Sequence, residues 1–150
     1  MFVAEDSSSK FVDRFGDVLA RSGWPRMSAR IFATLMAAPA GACTAAELAA
    51  GLGVGPSAIS NGAKMLRNLG LVDVVRRGDR QIVYEVRPDA WMEAVASQHD
   101  SLRALETILT EGALALSASP ASDRLMETAD FFAFLRTELP SLVTRWRANR

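Results

Sequence analysis

Apolar residues recur at helical spacing through most of the chain, and two short β-branched runs interrupt this pattern near its middle. In the segment 56–69, Ile59 and Leu66 belong to an apolar series with steps of three or four residues, which lies on one face of a helix. The runs 71–75 and 81–86 alternate in part and predict two strands. The pattern therefore predicts a mainly α fold with a small β-hairpin.

A shorter helix is predicted just before the segment 56–69. Thr44 and Glu47 have the spacing of a capping box, in which each side chain accepts a hydrogen bond from the other residue's backbone amide. Gly53 can end this helix because glycine reaches positive φ without a steric penalty. Pro56 is well suited to the first position of the next helix. Together these signals predict a helix, a glycine turn and a second helix.

The face of the second helix opposite its apolar stripe carries residues that suit DNA. Short hydrogen-bonding side chains near its N-terminus fit base edges, and cations farther along fit phosphates. Any solvent-facing helix is also polar, so this face alone leaves both interpretations open. The candidate DNA-binding residues on this helix are Ser57, Ser60, Asn61, Lys64 and Arg67.

The two predicted strands are joined by residues 76–80, where Gly-Asp is a hairpin signal. This connection carries Arg76, Arg77 and Arg80. Hairpin tips are often charged merely because they are solvated, but three arginines after a polar-faced helix favour contact with phosphates or the minor groove. Helix, turn, helix and basic hairpin is the order of a winged helix-turn-helix, which binds DNA.

Long amphipathic helices are predicted on both sides of this unit. Asp89 is placed to cap a helix with two apolar columns, and the Ser119-Pro120 region separates it from a last helix that Pro140 is expected to kink or interrupt. The first column is Val95, Leu102, Leu109 and Leu116, and the second is Met92, Leu105 and Ile108. In the last helix the apolar steps are Leu125, Ala129, Phe132, Leu135, Leu139, Leu142 and Trp146.

The amount of apolar surface on these flanks predicts a homodimer. Phe11 and Phe15 add a third amphipathic face near the N-terminus, and so small a DNA-binding unit cannot cover all of it. We therefore expect one winged helix-turn-helix domain over residues 1–150. Its DNA-reading core is expected over about 24–88, and its dimerisation helices over about 8–23 and 89–148.

Charge and composition agree with this interpretation. The chain has no net formal charge, yet the segment 24–88 holds eight basic and four acidic residues, so the positive charge is concentrated where DNA contact is predicted. The sequence contains no apolar run long enough to span a bilayer and no signal-peptide pattern at its N-terminus. A cytoplasmic protein with no membrane partner is expected.

The sequence gives little support for a catalytic site or a metal site. The sequence has no phosphate-binding glycine loop or nucleophile motif, and its single cysteine and single histidine make no metal site. Cys43 is predicted to lie in a loop as an inert small apolar residue rather than a redox sensor. His99 is expected on a helix surface or interface, facing away from Asp100. We expect no enzyme and no cofactor.

The order of these elements resembles the MarR superfamily of bacterial transcription regulators over nearly the whole chain. Residues 60–72, Ser-Asn-Gly-Ala-Lys-Met-Leu-Arg-Asn-Leu-Gly-Leu-Val, are similar to that family's recognition helix and the strand entry after it. Residues 23–31, Gly-Trp-Pro-Arg-Met-Ser-Ala-Arg-Ile, resemble the signature of its GbsR-like branch, with Ala29 in place of the second glycine.

This resemblance implies a homodimer on pseudo-palindromic operator DNA, and often release of the DNA when a small molecule binds near the junction of the flanking helices and the winged unit. Aromatic and methionine residues near that junction are the candidate pocket for such an effector, although residues of these types at helical spacing also form plain core. The candidates are Phe11, Trp24, Trp91 and Met92.

The favoured function is a ligand-responsive repressor that binds double-stranded DNA as a homodimer. Two other functions stay open from the sequence. The polar helix face around Ser60 and Asn61 could bind another protein instead of DNA, and strong salt-dependent DNA affinity would argue against that module. The winged helix could also be the dimerisation part of an enzyme, which would need a catalytic domain beyond Arg150.

Overall fold

The computed structural model describes residues 2–78 and 80–150, with side chains from residue 7 onward. It contains six helices and one three-stranded sheet among those residues. Its elements are α1 Phe2–Arg21, α2 Arg26–Ala37, β1 Ala42–Thr44, α3 Ala45–Leu52, α4 Pro56–Asn68, β2 Val72–Arg77, β3 Gln81–Val86, α5 Ala90–Ala115 and α6 Ala121–Ala148. The mainly helical fold with a small β-hairpin is thus confirmed.

The chain divides into two compact units, one ending at Ala90 and the other spanning Trp91–Arg150. The boundary lies near residue 88, where the predicted DNA-reading core ends. The first unit includes α1, which begins six residues earlier than the predicted start at about residue 8. Within the described part of the chain, no helix is both long and apolar enough to cross a membrane.

Helix α2 lies at the centre of the first unit. Its Ile31, Phe32 and Leu35 are fully buried, and they meet the apolar stripe of α4, where Ile59 and Leu66 are also fully buried. The predicted stripe of α4 therefore faces the core, which is where apolar side chains gain most from leaving water.

Aromatic rings join α1 to this core. The ring centroids of Phe15 and Phe32 are 6.2 Å apart, and those of Trp24 and Phe32 are 5.7 Å apart. Phe11 extends the cluster by packing 5.3 Å from Phe15. These tilted contacts are favourable beyond the area that they bury, and they fix α1 against α2.

A short strand that the sequence did not predict completes the sheet. The order is β1-β3-β2, and both pairs are antiparallel. Cys43, which was predicted to lie in a loop, is in β1 and pairs with Tyr84. Burial, followed by the nearby Glu47 carboxylate, raises the pKa of the Cys43 thiol, so its reactive thiolate is disfavoured at neutral pH.

The second unit is a pair of long helices joined at several points. The Ser122 hydroxyl donates to the Ala113 carbonyl at 2.8 Å, and Arg136 forms two hydrogen bonds to Glu106 at 2.8 and 3.2 Å. This charge pairing lowers the pKa of Glu106 and raises that of Arg136, in both cases chiefly through the shared hydrogen bonds.

The structure overturns part of what was predicted for this second unit. Helix α6 is continuous through Pro140, so Pro140 does not interrupt it, and the kink stays a prediction. Asp89 directly precedes α5, as the predicted cap requires, with a φ of +57° where the backbone of an N-cap is usually extended. His99 and Asp100 approach to 3.7 Å, since flexible side chains can bend toward each other around the helix.

Some of the apolar residues predicted along α5 and α6 are buried, and others are exposed. In α5, Leu102 is buried, but Leu105 and Ile108 of the second column are exposed, Ile108 by 66%. In α6, Ala129 is buried and Leu125 to Leu139 of the predicted series are at least half-buried, whereas Leu142 and Trp146 are exposed. Exposed apolar residues outside the predicted series include Met126, Phe131 and Phe134.

Thr44→Ala tests the N-cap of α3. The Thr44 hydroxyl accepts from the Glu47 amide at 3.0 Å, and the Glu47 carboxylate accepts from the Thr44 amide at 2.9 Å, so the predicted capping box is confirmed. We expect the substitution to lower the free energy of unfolding by about 0.5–2 kcal/mol. Urea denaturation at neutral pH measures this loss.

Glu47→Gln tests the pH dependence of the same cap. The Thr44 amide, and then the Thr44 hydroxyl, lower the pKa of Glu47 in the folded chain. Its contribution to stability is therefore present above the unfolded pKa and lost as pH falls through the folded pKa. A glutamine side chain can still accept the hydrogen bond from the Thr44 amide, but it does not titrate. The difference in free energy of unfolding between the unsubstituted protein and the variant should therefore change as the pH falls. A difference that stays constant from neutral to acidic pH would contradict this.

Candidate nucleic-acid interface

Helix α4 presents a continuous polar stripe to solvent. Side chains three and four residues apart share a helix face, and the five candidate residues of α4 follow this spacing. All five are exposed, while Ile59, Ala63 and Leu66 of the opposite face are buried. The exposed stripe comprises Ser57, Ser60, Asn61, Lys64 and Arg67.

The N-terminus of α4 is open to an anion. Gly55 is its N-cap and offers no side-chain cap, Pro56 occupies the first turn, and that turn contains no acidic residue. The backbone amides at a helix N-terminus carry partial positive charge and lack partners within the helix. This end of α4 is consequently suited to a phosphate, beside Ser57 and Ser60.

The turn before α4 is built as the sequence predicts. Gly53 ends α3 in the left-handed conformation, with a φ of 66°, and its amide bonds to Ala50. The Val54 amide bonds to the Ala49 carbonyl at 3.0 Å, which closes the last turn of α3. Helices α3 and α4 are therefore joined by a short, hydrogen-bonded turn.

The predicted wing has longer strands and a shorter tip than expected. Arg76 and Arg77 are not in the connecting loop but in β2, where they pair with Ile82 and Gln81. Successive strand residues point to opposite faces, so these two arginines project from different sides of the hairpin. Gly78, with a φ of 63°, and Arg80 lie at the tip, and Asp79 lies outside the described residues.

The three wing arginines remain available for an external anion. Arg76, Arg77 and Arg80 are exposed, and among the described residues neither they nor the five polar side chains of α4 take part in an ion pair or side-chain hydrogen bond. Asp73, at the base of the wing, is instead 3.7 Å from Arg87. Among the residues that the structure describes, no carboxylate lies within ion-pair distance of the cations of α4 and of the wing.

Strand β1 links this wing to the helix-turn-helix. Thr44 pairs with Val83 in β3 and is also the N-cap of α3. The same residue thus belongs to the sheet and begins the first helix of the motif. Strand β1 was not predicted from the sequence, because three residues are too few to show alternation. Its pairing with β3 becomes visible only in the folded structure.

The four candidate pocket residues are divided between the two units. Phe11 and Trp24 belong to the aromatic cluster that packs α1 on α2, whereas Trp91 and Met92 begin α5 in the second unit. A cavity of about 330 Å³ within the second unit has other walls. Among its lining residues are the polar His99, Arg136 and Arg147 and the apolar Leu102, Leu139 and Val143.

Comparisons with known proteins point to one family. Residues 89–149 match the model of the MmpR5-like MarR family transcriptional regulators. The HTH-type transcriptional regulator MmpR5 of Mycobacterium tuberculosis is 25% identical over 146 residues, which cover 95% of this chain and 88% of that protein. The C-terminal part of the chain and its overall sequence are therefore similar to MarR-like transcriptional regulators.

A solved structure supports the fold independently. The crystal structure of a transcriptional regulator superimposes with a TM-score of 0.86 at 24% identity, covering 96% of this chain and 99% of that one. At this identity the likeness shows the fold alone, a winged helix-turn-helix with long flanking helices. The comparisons do not confirm the GbsR-like branch, which the segment 23–31 predicted.

The family match covers α5 and α6 and none of the candidate DNA-binding residues. Its residues, 89–149, lie after the helix-turn-helix and the wing. The candidate DNA-binding surface therefore rests on the first unit alone, where the exposed stripe of α4 is followed in sequence by the basic hairpin.

Proposed function

We infer that the chain is a sequence-specific DNA-binding regulator that acts as a homodimer on an inverted-repeat operator and represses transcription until an effector binds. The observation that carries this proposal is the exposed polar stripe of α4, followed by a hairpin with three exposed arginines. A helix of this kind fits the major groove, and a basic hairpin fits the adjacent backbone or minor groove.

Within this surface, the α4 residues and the wing residues have different chemistry. Ser60 and Asn61 are short hydrogen-bonding side chains, and an asparagine can form two hydrogen bonds with an adenine edge. The arginines of the wing are long cations, which bind phosphates whatever the base sequence. We therefore assign sequence choice mainly to α4 and affinity mainly to the wing.

Alanine substitutions separate the two roles. Arg77→Ala or Arg80→Ala should weaken binding to all DNA sequences alike and reduce the salt slope by about one for each phosphate that the variant no longer neutralises. Ser60→Ala or Asn61→Ala should cost roughly 1–3 kcal/mol mainly on the preferred site. Fluorescence anisotropy on a preferred and a scrambled duplex, at several salt concentrations, measures both effects.

Arg124→Ala serves as the matched control, because Arg124 is an exposed arginine of α6 outside the proposed interface. The DNA affinity and the salt slope of this control variant should equal those of the unsubstituted protein. Wing variants that change sequence preference, together with α4 variants that do not, would show that the roles are reversed. Weak DNA binding without salt dependence would favour the alternative, a winged helix that binds another protein.

The homodimer is proposed from the apolar surface of the long helices. Ile108 of α5 and Phe131 and Phe134 of α6 are each more than half exposed, and Trp146 near the end of α6 is 56% exposed. Burying such side chains is worth about 1.5–3 kcal/mol each, so a second copy of the same surface is a favourable cover. A symmetric dimer uses one patch on both subunits.

Phe134→Asp tests this dimer. A carboxylate in an apolar interface carries a large desolvation cost, so we expect the variant to have the mass of a single chain where the unsubstituted protein has twice that mass. Light scattering at micromolar concentration measures the mass. Phe134→Leu, which keeps the position apolar, should remain dimeric. A monomeric unsubstituted protein would contradict the proposed architecture.

The operator spacing follows from the symmetry of such a dimer. Two copies of α4 reach the major groove on one side of the DNA when half-site centres are about 10 base pairs apart, which gives an inverted repeat of roughly 16–20 base pairs. Inserting about five base pairs between the half-sites should abolish tight binding, and inserting about ten should do less harm. Footprinting that finds one half-site bound as tightly as the repeat would contradict this.

The effector response completes the proposal. The residues predicted for an effector pocket, Phe11, Trp24, Trp91 and Met92, are divided between the two units, so we propose the cavity between α5 and α6 as the effector site. A volume of about 330 Å³ is within the range of pockets for small molecules. Arg136 is already paired with Glu106, so the apolar walls together with Arg147 favour a molecule that combines an apolar body with an anionic group.

A further inference from the structure

One polar group of the first unit is buried between α2 and α4. Ser28 of α2 is only 2% exposed, and its hydroxyl donates a 2.7 Å hydrogen bond to the Gly62 carbonyl of α4. A carbonyl oxygen has two lone pairs, so this bond can be added to the hydrogen bonding within α4. A buried hydroxyl without a partner is costly, and Ser28 therefore holds α4 at one particular carbonyl.

At Gly62, two side chains of α2 pack closely against the backbone of α4. A Cβ atom at Gly62 would lie 2.8 Å from Ile31 Cδ1 and 2.8 Å from Met27 Cγ, both in α2. Gly62 does not have a positive φ, so its role is to leave space rather than to allow an unusual backbone. A glycine in the interior of a helix lowers the stability of that helix. Here the close packing against α2 compensates for this loss.

This contact lies on the buried face of the helix segment that carries the proposed reading stripe. Gly62 directly follows Asn61 and precedes Lys64 by two residues, while Ser57 and Ser60 lie within the preceding five. Apolar packing is non-directional, whereas a hydrogen bond has a preferred distance and angle. The bond at Gly62 therefore limits how far α4 can rotate about its axis or slide along α2.

We propose that Ser28 and Gly62 are positioning residues for base recognition, which set the rotation and depth of α4 without touching DNA. The inference rests on the proposed DNA-binding function of α4. Base contacts depend on hydrogen-bond geometry and lose strength with a small rotation of the helix, whereas long cations can still reach a phosphate. Disturbing the contact should therefore reduce discrimination between DNA sequences more than it reduces overall affinity.

Ser28→Ala is the first test. We expect affinity for the preferred duplex to fall about tenfold, the order of one misaligned base contact, with less than about a twofold change on a scrambled duplex. A merely structural role would lower both affinities in proportion to the folded fraction. Thr34→Val is the matched control, because the Thr34 hydroxyl bonds to the Arg30 carbonyl of its own helix and should leave both affinities unchanged.

A double-mutant cycle identifies what Ser28 positions. If the bond aligns Asn61, then adding Ser28→Ala to an Asn61→Ala protein should cost much less than the same change in the unsubstituted protein. Additive losses on the preferred duplex would show that Ser28 does not act through Asn61. That result would overturn the inference while leaving the DNA-binding function in place.

Gly62→Ala tests the close approach without depending on DNA. The added methyl group must push against Ile31 and Met27, so a crystal structure of the free protein should show α4 displaced from α2 by several tenths of an ångström relative to the unsubstituted chain. Alanine also strengthens the helix, which helps the variant fold. An undisplaced α4, or a displaced α4 with full discrimination, would overturn the inference.

The two proposals fail in distinguishable ways. An unsubstituted protein that prefers no DNA sequence rejects the proposed function, and with it any role of Ser28 in discrimination. An unsubstituted protein that discriminates, together with a Ser28→Ala variant that discriminates equally well, rejects only the positioning role.

Discussion

Helices α2 and α4 meet closely at Gly62, and the surface that α4 offers to solvent depends on this contact. The missing side chain lets Met27 and Ile31 of α2 approach the α4 backbone, and the Ser28 hydroxyl bonds to the carbonyl there. With one side of α4 fixed in the core, the orientation of the opposite side is determined as well. The polar stripe is therefore presented by a rigid element, as the proposed base-reading role requires.

The small sheet extends this organisation to the wing. Thr44 caps α3 and pairs with β3, so the start of the helix-turn-helix and the hairpin share one backbone segment. This arrangement places three exposed arginines on a hairpin that is hydrogen-bonded to the same unit as α4. The stripe and the wing thus bring exposed cations to one unit, although the whole chain has no net charge.

The second unit has a different balance between interior and surface. Its helices are joined by the Glu106–Arg136 pair and by the Ser122 hydroxyl, yet large apolar side chains such as Ile108 and Phe134 remain exposed. A two-helix unit has too little interior to bury all of its apolar residues. This surplus is the physical basis of the proposed dimer, and the family match falls on the same helices.

The sequence by itself determined the features that depend on near neighbours in the chain. The cap of α3, the turn at Gly53 and the bounds of α4 were all predicted, because capping and helical periodicity involve residues at most four positions apart. Tertiary structure alone decided the strand β1, the position of Arg76 and Arg77 in β2, the exposed side of α6 and the bond between Ser28 and Gly62. Those features depend on which distant segments meet, and the partners of that bond are 34 residues apart, so no local pattern of apolar and polar residues contains them.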